Sequence, residues 1–286
     1  MLLMKAVILG GSGFIGSRIV DDFESKGIDC ISFSSSQCNL EDLSAARAVL
    51  IHHLTDAILV IAVGIPRLKA DNTETLCRNI QMISHLAEIL EEFPPVGILF
   101  LSTIEVYGTP EGVLTEDSPI HPDTQYGVAK YTCELILQRL QRRISVPLDI
   151  LRLPGVYGRG DKGRGMIGAV IGAIEQKQTF TLYGDGTDLR DFLFVGDIPR
   201  IIEQLYLTAT ESRCGIFNIA SGYSQPIGEI LHKIMLRYGK CPLKRESPYR
   251  PPVHLEFDNR RLLNRLPDLV MTPLEQGIED YAATVE

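Results

Sequence analysis

The chain has 286 residues, 45% of them hydrophobic and 22% charged, with a formal net charge of −8; this fits one large domain or two smaller ones and an ordinary globular class. The acidic balance excludes broad, non-specific nucleic-acid binding, although local cations can still hold a phosphorylated ligand. The six cysteines (Cys30, Cys38, Cys77, Cys133, Cys214, Cys241) form no C-x-x-C pair and have no histidine cluster beside them, so no metal site and no disulfide framework is expected, and reduced thiols in a cytoplasmic protein are.

The opening "MLLMKAVILGG" has an interior lysine, a short apolar run and glycines in place of a cleavage site, and it reads as a first strand, not a signal peptide. No apolar run is long enough to cross a membrane. Strand and helix patterns then alternate: strands at Lys5 to Leu9, Cys30 to Ser34, Asp56 to Val63, Val96 to Leu101 and Leu148 to Leu153; helices at Phe14 to Gly27, Asp42 to His52, Asn79 to Phe93 and Tyr126 to Arg142. Continuous apolar strands separated by helices predict an α/β fold, a Rossmann-like doubly wound parallel sheet covered on both faces.

Beyond Pro154 the pattern loosens. "GVYGRGDKGRGMIG" predicts a long loop, followed by helices near Ile167 to Gln176, Asp197 to Leu207, Ile227 to Tyr238 and Pro273 to Val285. The proline- and charge-rich "CPLKRESPYRPPVHLE" reads as irregular. The expected division is a dinucleotide-binding domain over 1–155, with parts of 192–220 returning to it, and a smaller α/β substrate lobe over 156–191 and 221–286.

"LGGSGFIGS" follows the first strand and opens the first helix, and Gly11, Gly13 and Gly16 satisfy G-x-G-x-x-G, while Gly10, Gly13 and Gly16 give a G-x-x-G-x-x-G spacing. A side chain here keeps the backbone away from a pyrophosphate, whose charge sits on the helix N-terminus. At the first strand-to-helix turn of a parallel α/β chain the motif points to a dinucleotide. After the second strand, where an acidic residue bonds the ribose of NAD, the chain has Ser34, Ser35 and Ser36. The missing acid favours NADP over NAD, although no arginine stands there to pair with a 2′-phosphate.

"YGVAK" places Tyr126 and Lys130 four residues apart on one helix face. Ionising a tyrosine near neutrality costs roughly 4 kcal/mol, and a cation at about 4 Å and an effective dielectric of about 20 supplies that much. The expected role of Lys130 is therefore to lower the Tyr126 pKa and make it a proton donor or acceptor.

Taken in order, "GGSGFIG", "STIEVYG", "YGVAK" and "LYGDGTDLRDFLFVGD" resemble the extended short-chain dehydrogenase/reductase family, and more narrowly its nucleotide-sugar epimerase/dehydratase branch, from about Lys5 to about Ala220. The resemblance implies a catalytic set of Thr103, which bonds the reacting sugar oxygen, Tyr126, which exchanges the proton, and Lys130, which bonds the nicotinamide ribose. It implies cofactor contacts from Gly10, Gly13, Phe14, Ile15 and Gly16, from Ser34, Ser35 and Asn39, from Ala62 and Asn79, and from Tyr126 and Lys130. A helix or turn cap is the alternative role for Thr103.

Dehydratases of this branch read S-T-D-E-V-Y-G where this chain has Ile104 and Glu105. The aspartate is their elimination acid, and an isoleucine donates no proton. The resemblance therefore implies oxidoreduction at C4 of a nucleotide-diphosphate sugar without dehydration. A 4-ketoreductase is preferred over an NAD-dependent 4-epimerase, because of the missing acid and because the compact "SSSQCNLEDLSAARAVL" is similar to that of NADPH-dependent epimerase-reductases. A non-catalytic NAD(P)-binding sensor and a steroid or flavonoid alcohol dehydrogenase are the competing classes. The substrate set is Thr103, Glu105, Tyr126, Gly155, Arg190 and Arg250. In it Gly155 replaces the asparagine of many relatives, and the two arginines suit a diphosphate. Arg190 has an alternative role as a structural partner of Asp191 or Asp197, and Tyr183 and Phe192 are candidates to flank the base. A homodimer is expected from resemblance alone.

Overall fold

The computed structural model describes residues 5–161, 163, 165–207, 214–247 and 252–282. The chain begins β1 (Lys5–Leu9), α1 (Phe14–Ser25), β2 (Cys30–Phe33), α2 (Leu43–Leu50), β3 (Ala57–Ile61), α3 (Thr73–Glu92) and β4 (Gly97–Thr103). A 3-10 turn, Ile104–Tyr107, follows directly on β4. Then come β5 (Val113–Leu114), α4 (Gln125–Ile144), β6 (Leu148–Leu153), β7 (Gly155–Tyr157), α5 (Met166–Glu175), β8 (Phe180–Tyr183), β9 (Leu189–Arg190) and β10 (Phe192–Phe194). The chain continues through α6 (Asp197–Leu207), β11 (Gly215–Asn218), β12 (Gln225–Pro226), α7 (Ile227–Tyr238), β13 (Leu243–Glu246), β14 (Glu256–Phe257), α8 (Arg260–Arg265) and α9 (Leu274–Ala282).

Two compact units result. The first comprises Met1–Gly108, Ile120–Arg152 and Ile198–Phe217; the second comprises Thr109–Pro119, Leu153–Asp197 and Asn218–Glu286. The first unit is built on a six-stranded sheet of order β11-β6-β4-β3-β1-β2. β1 pairs in parallel with both β2 and β3, and β3 with β4. The chain turns one way from β1 to β2 and the other way to β3, so the sheet's direction switches at β1, where the carboxyl ends of such sheets open a ligand crevice. β3 and β4 are buried at every residue, as expected of strands covered on both faces. Their side chains join Leu50, Ile83, Leu86, Leu137 and Leu140 from the helices in one apolar core.

Local chemistry sets the helix starts. α3 begins six residues before the expected Asn79, because Asn72 and Thr75 form a reciprocal capping box. α4 is capped by Thr124, whose hydroxyl accepts the Gly127 amide at 2.9 Å, and it ends at Ser145 in the left-handed region (φ 54°).

The second unit departs from expectation at three places. "CPLKRESPYRPPVHLE" is not wholly irregular: Leu243–Glu246 forms β13, parallel to β8 in the register Leu243↔Phe180. The predicted loop after Pro154 opens with β7, which pairs with β10. Thr109–Pro119, placed with the dinucleotide domain from sequence, groups with the second unit, because β5 pairs with β14. All three are short strands whose partners lie far along the chain, so no local periodicity marks them.

Candidate active site

The glycine turn is shaped by backbone contacts. Gly10 has φ of +88°, and a Cβ there would lie 2.6 Å from the Ala62 carbonyl oxygen. The β1 and β3 ends are thus locked together, with the Ala62 amide donating to Leu9 O at 2.9 Å. A Cβ on Gly16 would come within 2.1 Å of Gly10 O, so only glycine lets α1 start this close to the strand end. Gly13 differs, since its Cβ would meet nothing nearer than Gly10 O at 3.2 Å. It is the N-cap of α1, no side chain caps it, and the first turn carries no acid. The protein's own packing is tight at 13 but far less closed than at 16, and close approach of a phosphate to the helix N-terminus adds its own demand for glycine there. Phe14 and Ile15 occupy that first turn. A dinucleotide pyrophosphate fits this cradle.

The turn after β2 satisfies itself. The Ser34 amide donates to Gln37 Oε1 at 2.9 Å and the Ser34 hydroxyl to the same oxygen at 2.8 Å. Its carbonyl accepts from the Gln37 and Cys38 amides. Ser35 and Asn39 are exposed, and Asn39 Oδ1 accepts the Glu41 amide. These serines therefore form a polar turn, and the Ser34 hydroxyl already has a partner.

The catalytic candidates gather where β4 ends. Thr103 is the last residue of β4 and its hydroxyl accepts the Glu105 amide at 3.2 Å, so it does cap the 3-10 turn. Lys130, 4% exposed, donates to Leu101 O at 2.6 Å and lies 4.3 Å from the centre of the Phe100 ring. Burial lowers its pKa to about 8, against the opposing charges of Cys133 and Glu134. Asn79 clasps Ile65, its Oδ1 accepting the amide at 2.7 Å and its Nδ2 donating to the carbonyl at 3.1 Å. A Cβ on the intervening Gly64 would sit 3.6 Å from Asn79 Oδ1 and 3.8 Å from Lys130 Nζ, so the structure brings Asn79 and Lys130 to one spot.

Tyr126 lies in the first turn of α4, its amide bonded to Asp71 Oδ1 at 2.9 Å. Its phenol is pushed above its ordinary pKa, first by desolvation and then by the Glu105 carboxylate. This corrects the expectation that Lys130 lowers it: in the protein alone, dehydration and nearby anions set the direction. Glu105 is itself held by Thr124, whose hydroxyl donates to Oε2 at 2.9 Å, and by Arg67, with Nε 3.3 Å from the same oxygen. Desolvation raises its pKa. Two side chains thus hold Glu105 in place. Sequence reasoning missed Arg67, Asp71 and Thr124. Of these only Thr124, a hydroxyl just ahead of a helical pattern, carried a local signal.

Beneath this site is a buried polar cluster. Arg152 donates to both carboxylate oxygens of Glu134, from Nε at 3.1 Å and from Nη2 at 2.7 Å, and to the Tyr107 hydroxyl at 2.9 Å. Ser102 donates to Glu134 Oε1. Glu134 and Tyr107 are 0% exposed, Arg152 2% and Ser102 3%.

The second unit carries the other substrate candidates. Arg190 Nη1 donates to Leu189 O and Val253 O, each at 2.7 Å, and Nη2 pairs with Asp188 at 2.9 Å. The expected structural partners have other tasks: Asp191 accepts the Ser221 and Gly222 amides, and Asp197 holds Thr272. Arg190 and Phe192 line a cleft of ≈ 320 Å³ with Ser221, Tyr223 and Thr272. Gly155 is exposed, and a Cβ there would press to 2.9 Å on the Phe192 ring. Phe192 in turn stands edge-on to Tyr157, while Tyr183 is 67% exposed. Arg250 lies outside the described residues.

No helix among the described residues is long and apolar enough to cross a membrane. A dTDP-glucose 4,6-dehydratase from Haemophilus influenzae is 26% identical to this chain, across 89% of it and 84% of the relative. A UDP-glucose 4-epimerase from Mycolicibacterium smegmatis is 27% identical, across 68% and 71%. The solved UDP-glucose 4-epimerase of Thermus thermophilus, a complex with NAD, superposes with a TM-score of 0.86 at 20% identity, over 99% of this chain and 100% of that one. RMD of Pseudomonas aeruginosa, complexed with NADPH, gives a TM-score of 0.83 at 18% identity over 97% of each. The profile of the NAD dependent epimerase/dehydratase family matches residues 6–220, well over half of the chain, and the protein belongs to that family of extended short-chain dehydrogenase/reductase enzymes.

Proposed function

We propose that the protein catalyses oxidoreduction at C4 of a nucleotide-diphosphate sugar, without water elimination, and that it works as a 4-ketoreductase. The observation that supports this reading best is Thr103 at the end of β4, followed by Ile104 where an elimination acid would stand, with Lys130 bonded to Leu101 O and Tyr126 one turn before it on α4. The amides of Gly13, Phe14 and Ile15 would hold the pyrophosphate, Ser34, Ser35 and Asn39 would face the adenosine end, and Asn79 and Lys130 would face the nicotinamide ribose. When bound, a reduced nicotinamide supplies the hydride. Thr103 orients the C4 oxygen and Tyr126 gives it a proton. A protonated phenol suits that direction, because reduction of a ketone consumes a proton. The acid-free turn after β2 supports NADP(H) over NAD.

Epimerisation at C4 is the second reading, supported by the UDP-glucose 4-epimerases among the relatives. Denaturing the purified protein and identifying any released nicotinamide nucleotide separates the two. Reduction predicts an empty site or exchangeable NADP, since the cofactor leaves at every turnover. Retained, near-stoichiometric NAD supports the epimerase. A protein that binds neither nucleotide when each is added contradicts both.

A further inference from the structure

Three consecutive residues at the end of β4 face three different partners. The Leu101 carbonyl takes Lys130, the Ser102 hydroxyl takes Glu134, and the Thr103 hydroxyl takes the Glu105 amide. Lys130 and Glu134 are one turn apart on α4, and Glu134 is tied to β6 through both carboxylate oxygens by Arg152. Arg152 lies over the Tyr107 ring at 4.9 Å and bonds its hydroxyl. Buried ion pairs of this kind add little net stability compared with apolar packing, because desolvation offsets the attraction. Their value lies in fixing one arrangement of the elements they join, here β4, α4 and β6.

We propose that Glu134 and Arg152 are positioning residues for Lys130: they set the height of α4 over β4 and keep the buried amine charged where it serves Tyr126. The use made of the amine rests on the oxidoreductase reading above; its charge and placement do not. The groups facing Lys130 are few. From β4 come the Phe100 ring and Leu101 carbonyl, from α3 the Asn79 amide beside Gly64, and from α4 itself Cys133 and Glu134. Burial pushes the Cys133 thiol up to about 11, so it is neutral at physiological pH. Glu134 therefore supplies the anion that opposes the dehydration of Lys130. Arg152 holds that carboxylate in place, with Ser102 donating to Glu134 and the Tyr107 hydroxyl accepting from Arg152.

The test is the titration of Lys130 in protein labelled with carbon-13 at lysine Cε, the resonance being assigned by its absence from Lys130→Met. Glu134→Gln alone takes the carboxylate away from the buried Arg152 cation, so poor folding is expected of it. The informative variant is Glu134→Gln combined with Arg152→Met, which removes both charges together. Its Lys130 should titrate below the wild type, by less than loss of the carboxylate alone would give because the Arg152 cation leaves with it, and the alkaline limb of turnover should move down with it. Glu134→Asp keeps the charge and should titrate within a few tenths of a unit of wild type. A double variant that titrates like the wild type, or a Glu134→Asp protein shifted as far as the double variant, overturns the charge role. A shifted titration with an unmoved activity profile overturns the coupling to catalysis. If no nucleotide sugar is turned over at all, the oxidoreductase reading fails while the titration still decides the role of Glu134.

Discussion

Lys130 and Arg190 are both cations singled out as ligand-binding from the sequence, and the protein treats them in opposite ways. Lys130 is sealed under the end of β4 with one carbonyl and an aromatic face, and its pKa falls to about 8. Arg190 is bonded to two carbonyls and to Asp188, all within its own unit. A buried amine whose charge is only partly compensated is poised to respond to a ligand. A guanidinium whose fork is already engaged mainly organises the chain around it. The proposed chemistry is thus concentrated in the first unit, and what Arg190 visibly does is shape the cleft it lines.

The comparison can be broken most sharply at Tyr126. Tyr126→Phe should lower turnover by about 10²–10⁴-fold, the worth of a positioned proton donor, while nicotinamide binding measured by fluorescence stays near wild type. Turnover that survives would move the chemistry away from this helix. Arg190→Gln should have a smaller effect, weakening substrate binding and loosening the Val253 contact without changing the pH dependence of turnover. A steady-state pH series of KM and kcat for that variant checks both points.

Next in size is the stability cost of Lys130. Its folded pKa is lowered from 10.5 to about 8, so dehydration penalises the folded state fully below about pH 8, and the penalty disappears as pH rises toward 10.5. The shift corresponds to roughly 3 kcal/mol. Lys130→Met should therefore be more stable than wild type at pH 7, and the gap should close between pH 8 and 10.5. Urea unfolding of the two proteins across that range measures it. A gap that widens with pH would mean that the amine is not dehydrated.

The glycine turn offers a comparison within the first unit. Gly16→Ala forces a methyl against Gly10 O and should cost about 1–3 kcal/mol. Gly13→Ala should cost less stability than Gly16→Ala and weaken dinucleotide binding, measured by calorimetry. Equal destabilisation by both would mean that neither position is reserved for a ligand. The smallest effect belongs to Gly155→Ala in the second unit, where the Phe192 ring can give way at a cost of at most about 1 kcal/mol.

The division between what could be read and what could not follows the same physics. β1, β3, β4 and β6 are runs of apolar residues, and α1, α4, α6 and α7 carry a clear helical period, so their positions stand in the sequence to within a residue or two. The glycine turn and Tyr126-x-x-x-Lys130 depend on residues close in the chain, and spacing alone reveals them. The direction of the Tyr126 pKa was missed because it depends on Glu105, far from it in sequence, and on dehydration. The Glu134 and Arg152 pair is 18 residues apart, and only the packing of α4 over β6 joins it. β13 and β5 are short strands recruited by distant partners, a tertiary effect that no local pattern encodes.

The most direct measurement is the mass of the product formed from 4-keto and 4-hydroxy nucleotide-diphosphate sugars in the presence of NAD, NADH, NADP and NADPH. The account predicts a product heavier than its 4-keto substrate by one hydride and one proton, or an isomer of unchanged mass for the epimerase. Tyr126→Phe should give neither. A product lighter by one water would contradict it, since elimination would then proceed with Ile104 in place of the acid.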